Sequence, residues 1–150
     1  MINSRLISDL TPEAQAAYLS WHDEMTLAQL PYMITSTLRD VEMQLWLWAQ
    51  GRTRPGKIVT WTMRSRHLPR PPSNKSIAWD FAILIDPKKP TWDVKVDVNR
   101  DRVPDYKQAA DLAVKLGLAA GFYFKNQQGE PQPDSVHIEL NPFASIKKES

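Results

Sequence analysis

The chain has 150 residues, is 42% apolar, lacks cysteine and carries a formal charge of +2. That length and apolar content suit a single domain over residues 1–150, and the absent thiols exclude disulfides and thiolate metal sites. Scattered basic residues and a small net charge point away from nucleic acid, and no apolar run approaches the roughly 18 residues of a membrane span. Met1-Ile2-Asn3-Ser4-Arg5-Leu6 holds no apolar stretch of signal length. The expectation is a protein made in the cytoplasm without a signal peptide and without membrane insertion.

In chain order, Thr11-Pro12-Glu13 opens a helix to about residue 29, with a hydroxyl cap, proline at the first position and an acid near the positive end. Tyr32-Met33-Ile34-Thr35 reads as a short strand. A second helix is expected over 37–50, closed by Gly51 in a left-handed turn. Residues 57–62, rich in β-branched side chains, read as a strand; the prolines within 68–76 mark a loop; 79–85 reads as a further strand. A long polar loop spans 87–104, followed by a helix over 106–116 with Asp105 as cap and Gly117 as stop. A turn at Gln127-Gln128-Gly129 leads to a last strand over 135–140, and 146–150 is a charged tail expected to fray. Helices first, then strands mixed with one more helix, suit an α+β fold with a small antiparallel sheet flanked by helices.

Two of the three histidines stand in settings that suit metal chemistry. Ser65-Arg66-His67 is followed by Ala78-Trp79-Asp80, and Asp134-Ser135-Val136-His137 comes near the C-terminus. Two imidazoles and a carboxylate can make a three-ligand zinc site in a surface cleft, with one position left to water, and a second carboxylate can act as base. Strand alternation puts His137 and Glu139 on one face, with Val136, Ile138 and Leu140 on the other. Asp80 heads an apolar strand, a position that packing explains poorly for an ion without a partner. Asp134, just ahead of the last strand, is placed to take a proton from an attacking water.

Taken in order, these segments resemble the VanY-type D-alanyl-D-alanine carboxypeptidase family, and most of all its L-alanyl-D-glutamate endopeptidase branch of phage endolysins. The likeness runs from Ile34-Thr35-Ser36-Thr37-Leu38-Arg39-Asp40 with Gln44, through Ala49-Gln50-Gly51-Arg52-Thr53 and Ser65-Arg66-His67. It continues through Ser76-Ile77-Ala78-Trp79-Asp80 and Lys115-Leu116-Gly117-Leu118 to Asp134-Ser135-Val136-His137. The resemblance implies one Zn2+ per chain on His67, Asp80 and His137, with Asp134 as catalytic base and Arg39 as the group that meets the substrate carbonyl or oxyanion. It also implies hydrolysis of the L-alanyl-D-glutamate bond of the peptidoglycan stem peptide. A monomer is expected, made in the host cytoplasm, with a holin-like partner giving access to the cell wall. The alternatives are a D-alanyl-D-alanine carboxypeptidase and a non-catalytic zinc-containing virion or wall-binding protein.

The chain departs from the pattern in the longer interval between His67 and Asp80, which makes 68–76 an inserted loop on the cleft rim, and in Ser76, where the family has glycine. Glu139 has two readings, a partner that orients a ligand histidine or a solvated strand residue. His22 reads as a surface residue, and Trp92 as packing or as a cleft aromatic. Asp93, Asp97, Asp101 and Asp105 invite a calcium loop, but no glycine turn or terminal glutamate follows, and a solvated loop is the better reading.

Overall fold

The computed structural model describes residues 1–141. The elements are α1 (Pro12–Leu27), β1 (Tyr32–Ser36), α2 (Val41–Ala49), β2 (Ala78–Asp86), β3 (Lys89–Thr91), α3 (Asp105–Lys115), β4 (Leu118–Ala120) and β5 (His137–Leu140), with α1 and α3 packed on an antiparallel sheet around one core and α2 outside it. This is the expected α+β class. The tail at 146–150 lies outside the described residues.

The nine-residue strand β2 organises the sheet. Ile83 pairs with Tyr32 of β1 and with Thr91 of β3, and Asp80 pairs with Ser36 of β1 and with His137 of β5. Thus β1 lies along one edge of β2 while β5 and β3 follow one another along the other, and β4 closes the sheet beside β5. Alternation along β2 sends Trp79, Phe81 and Ile83 into the core, where they meet Ala14, Tyr18, Trp21 and Met25 of α1 and Tyr106, Ala109 and Ala113 of α3. Those α1 positions recur every three or four residues, so a single stripe of the helix is buried. Trp21 sits at the centre: its ring centroid lies 5.0 Å from that of Phe81, and its indole N–H donates to the Ala109 carbonyl at 3.1 Å. The opposite face of β2 presents Asp80. The burial that makes this strand fold therefore also fixes where its one carboxylate at the pairing register with β5 must point.

The local signals succeed where a cap or stop is encoded and fail where pairing is needed. Thr11 caps α1 by accepting from the Ala14 amide, and Gly51 and Gly117 take positive φ just past α2 and α3. Helix α2 starts at Val41 rather than 37, because β1 runs through Ser36, residues 37–39 link it to the helix, and Asp40 is the cap, accepting from the Met43 amide at 2.8 Å. Residues 57–62 form no strand. Their backbone is held by side chains instead: Gln44 Nε2 donates to the Thr62 carbonyl, Arg52 to that of Thr60 and Gln50 to that of Lys57. The 87–104 loop contains the short strand β3, and Asp105 opens α3 without capping it, since its carboxylate accepts from the Val98 amide at 2.6 Å.

Candidate metal centre

Antiparallel register places Asp80 directly across from His137, and residues just past β1 hold the loop that carries His67. The Arg39 amide donates to the His67 carbonyl, the His67 amide to Ser65 Oγ, and the imidazole Nδ1 lies 2.6 Å from the Thr37 carbonyl. That carbonyl can only accept, so Nδ1 carries the proton and Nε2 keeps its lone pair. Nε2 sits 3.1 Å from Asp80 Oδ1, as does Nδ1 of His137. The other nitrogen of His137 donates to Glu139 Oε1 at 2.9 Å. Both imidazoles thus turn a ring nitrogen toward one carboxylate oxygen while a backbone carbonyl or a carboxylate fixes the rest of the ring.

His67, Asp80, His137 and Glu139 are all buried, with His67 only 1% exposed. Burial drives His67 below its ordinary range. It pushes the other way on Asp80, but His67 and His137 overcome it and hold that carboxyl well below the usual carboxylate range. For His137, burial is opposed by hydrogen bonds to Asp80 and Glu139, and the ring is raised to about 10. Asp134 stands at the mouth of the site, its side chain 45% exposed and its Oδ2 3.9 Å from His137 Nδ1. Desolvation and the nearby Asp80 carboxylate push it up to about 6. Arg39 reaches Asp80 Oδ2 at 2.9 Å and Gln44 Oε1 at 3.2 Å. The four residues expected to ligate or act as base are brought together, and Arg39 joins them through Asp80.

The donor set fits a zinc-type ion. One ligand atom from each of His67, Asp80 and His137 lies within 4.8 Å of the others. Four ligands at zinc distances stand about 3.3 Å from one another, close to the two 3.1 Å nitrogen–oxygen separations. Two nitrogens and one oxygen with a half-open side make the donor arrangement of a hydrolytic centre.

Several contributors were not singled out from the sequence. The Thr37 carbonyl is backbone and leaves no residue-type signal. Gln44, quoted in the motif around Arg39 but given no role there, is fully buried and ties Arg39 to Thr60 and Thr62. Arg66 Nε lies 3.3 Å from Glu139 Oε2, so Glu139 is the orienting partner of His137 rather than a solvated residue. Gly121 matters by closeness: a Cβ there would lie 2.1 Å from the Asp134 carbonyl and 2.9 Å from His137 Cβ.

A cleft of roughly 350 Å3 opens over these groups, walled by Thr60, Trp61, Arg64 and Arg66 on one side and Phe124 and Lys125 on the other. Trp61, 54% exposed, is the rim aromatic; Trp92 is exposed and does not line this cleft. The 68–76 segment closes on itself through Arg70 and Lys75, so the longer interval leaves His67 and Asp80 in contact. A larger hollow of roughly 620 Å3 beside Tyr18, His22 and Tyr32 gathers no set of ligating side chains among the described residues.

No protein-family model matches the chain. The peptidoglycan L-alanyl-D-glutamate endopeptidase CwlK of Bacillus subtilis (strain 168) is 30% identical over 112 residues, which span 73% of this chain and 60% of that protein. The chain is a relative of that endopeptidase. The solved L-Ala D-Glu endopeptidase ChiX of Serratia marcescens superposes with a TM-score of 0.58 at 16% identity, covering 93% of this chain and 86% of its own. The LD-carboxypeptidase LdcB superposes with a TM-score of 0.55, also at 16% identity, over 93% of this chain and 64% of its own. The resemblance to VanY-type peptidases read from the motifs is thereby borne out, in sequence by CwlK and in fold by ChiX and LdcB. The match spans about three fifths of the length of CwlK.

Proposed function

We propose that the chain is a zinc-dependent peptidoglycan peptidase that hydrolyses the L-alanyl-D-glutamate bond of the stem peptide. The observation that carries this reading is the single Asp80 oxygen shared by His67 Nε2 and His137 Nδ1, with the Asp134 carboxylate beside them at the cleft mouth. Zinc on His67, Asp80 and His137 would polarise the scissile carbonyl and acidify its water. Asp134, ionised above about 6, takes a proton from the attacking water and returns it to the leaving amine. Arg39, pinned by Asp80 and Gln44, offers a fixed positive charge to the substrate oxygen. Arg64, Arg66 and Lys125 along the cleft suit the free carboxylates of a stem peptide. CwlK and ChiX, named for the L-alanyl-D-glutamate bond, favour that bond.

Every proposed ligand and the base come from one chain, in keeping with a monomer. The motif likeness to the endolysin branch supports a role in phage-driven host lysis, with synthesis in the host cytoplasm and a holin-like protein opening the way to the wall. Expression in a bacterial host tests that setting: lysis is expected only when a holin is co-expressed, and lysis without one contradicts it.

Digestion of purified peptidoglycan, with products read by mass spectrometry, tests the chemistry. Chelator-sensitive release of stem peptides lacking L-alanine is expected. The fold shared with LdcB keeps a carboxypeptidase as the second reading, and free D-alanine as the product would decide for it.

A further inference from the structure

The loop between β3 and α3 gathers a second set of oxygen donors, remote in sequence from the histidine site. One carboxylate oxygen from each of Asp97, Asp101 and Asp105 lies within 4.8 Å of the others, and none of the three is in an ion pair with a Lys or Arg among the described residues. The backbone wraps around these side chains: Asp97 accepts from the Asp101 and Arg102 amides, and Asp101 Oδ1 from the Val103 amide. Such turns are common in loops without ions. Asp105 is different. It is fully buried, its Oδ2 accepts from the Val98 amide, and its Oδ1 has no hydrogen-bond donor.

A buried carboxylate oxygen left without a donor or a counter-charge is costly, and two further carboxylates beside it raise the cost. Burial, opposed by the Val98 amide, and the charges of Asp97 and Asp101 leave the Asp105 carboxyl above its ordinary range. A divalent cation removes all of these penalties at once. Hard oxygen donors, with no nitrogen or sulfur among them, select calcium over zinc.

We propose that Asp97, Asn99, Asp101 and Asp105 form a calcium site that clasps the β3–α3 loop onto the start of α3. The spacing is that of positions 1, 3, 5 and 9 of a calcium-binding loop. The glycine that such loops place at position 6 is replaced by Arg102, which itself adopts φ of +70°. The missing glycine, which argued against calcium in the sequence, is therefore made up by backbone geometry. Position 12 is Gln108, whose Oε1 lies 3.3 Å from Asn99 Nδ2, so the site lacks the charged bidentate ligand of the tightest loops. Asn99 Nδ2 also donates to the Ala28 carbonyl at the end of α1, so an ion here ties both core helices to one loop.

The test is thermal unfolding of the zinc-loaded full chain against calcium chloride, with calorimetric titration alongside. The wild type is expected to bind one calcium per chain and gain about 3–6 °C in Tm when calcium exceeds Kd tenfold. Asp101→Asn, an exposed position, should weaken binding at least about tenfold, and Asp105→Asn should abolish the Tm response while raising Tm in calcium-free buffer. That opposite-signed pair is what a merely structural Asp105 would not give. No Tm shift or heat at about 10 mM calcium, above the weakest such loops, would overturn the proposal. So would an unchanged response in Asp101→Asn, or an equal shift with magnesium.

Discussion

Two clusters in this molecule each centre on a buried aspartate and end in opposite electrostatic states. Around Asp80, Arg39, His67 and His137 all converge, and Glu139 is answered by His137 and Arg66. Around Asp105, three carboxylates converge and no side-chain cation answers them among the described residues. The first cluster has built its counter-charges into the chain, Arg39 and a His137 ring that can exchange a proton for a metal. The second has left the counter-charge out. Charge balance, not the count of acids, tells a site that is organised without its ion from one that needs it.

The largest effect should come from removing the hub of the balanced cluster. Asp80→Ala leaves Arg39 and two imidazoles buried around a gap, so it should lose zinc, bring peptidoglycan hydrolysis to background, and cost about 3–5 kcal/mol in denaturant unfolding. Next, Asp134→Ala should lower kcat about 10²–10⁴-fold while zinc content stays at the wild-type level. In the wild type, the ionised Asp134 is the working form, so kcat/KM should rise with pH through a midpoint at or below about 6 and level off above it, because a nearby cation favours the carboxylate. A flat acid limb would remove Asp134 from the role of base.

Gly121→Ala tests positioning at the same residue. The new methyl collides with the Asp134 carbonyl, and a shift near 1 Å in the base is expected to cost about 10²-fold in turnover with zinc retained. Full activity in that variant would show that Asp134 tolerates displacement. A smaller effect is expected from Glu139→Gln, which leaves the His137 ring without its charged partner and should weaken zinc about 10–100-fold in a competition titration. Unchanged affinity would return Glu139 to the status of a paired strand residue.

Much of the balanced site was legible because its parts sit where local rules are strong. Strand alternation put His137 and Glu139 on one face and turned Asp80 away from Trp79 and Phe81, as the sheet shows. The Asp-x-x-His and Ser-x-His spacings marked the remaining positions. What stayed hidden depends on contacts between distant segments. The Thr37 carbonyl that fixes His67 and the Gln44 side chain that holds Thr62 have no local signature. Residues 57–62 misled because β-branched composition promises a strand only where a neighbour can pair with it, and here Gln44, Gln50 and Arg52 take up the backbone instead. Strands β3 and β4, three residues each, are too short for periodicity to register. Asp105 misled in another way, since a residue that looks like a helix cap is a buried acid facing two others.

Titration of metal-stripped protein with zinc tests the central claim most directly, run calorimetrically in two buffers of different ionisation enthalpy. With His137 raised to about 10, the metal-free ring is protonated at neutral pH and must give up that proton to bind. The account predicts one zinc per chain, release of about one proton, and affinity that climbs with pH up to about 10, all absent in Asp80→Ala. Zinc bound without proton release, or bound equally well by Asp80→Ala, would contradict it.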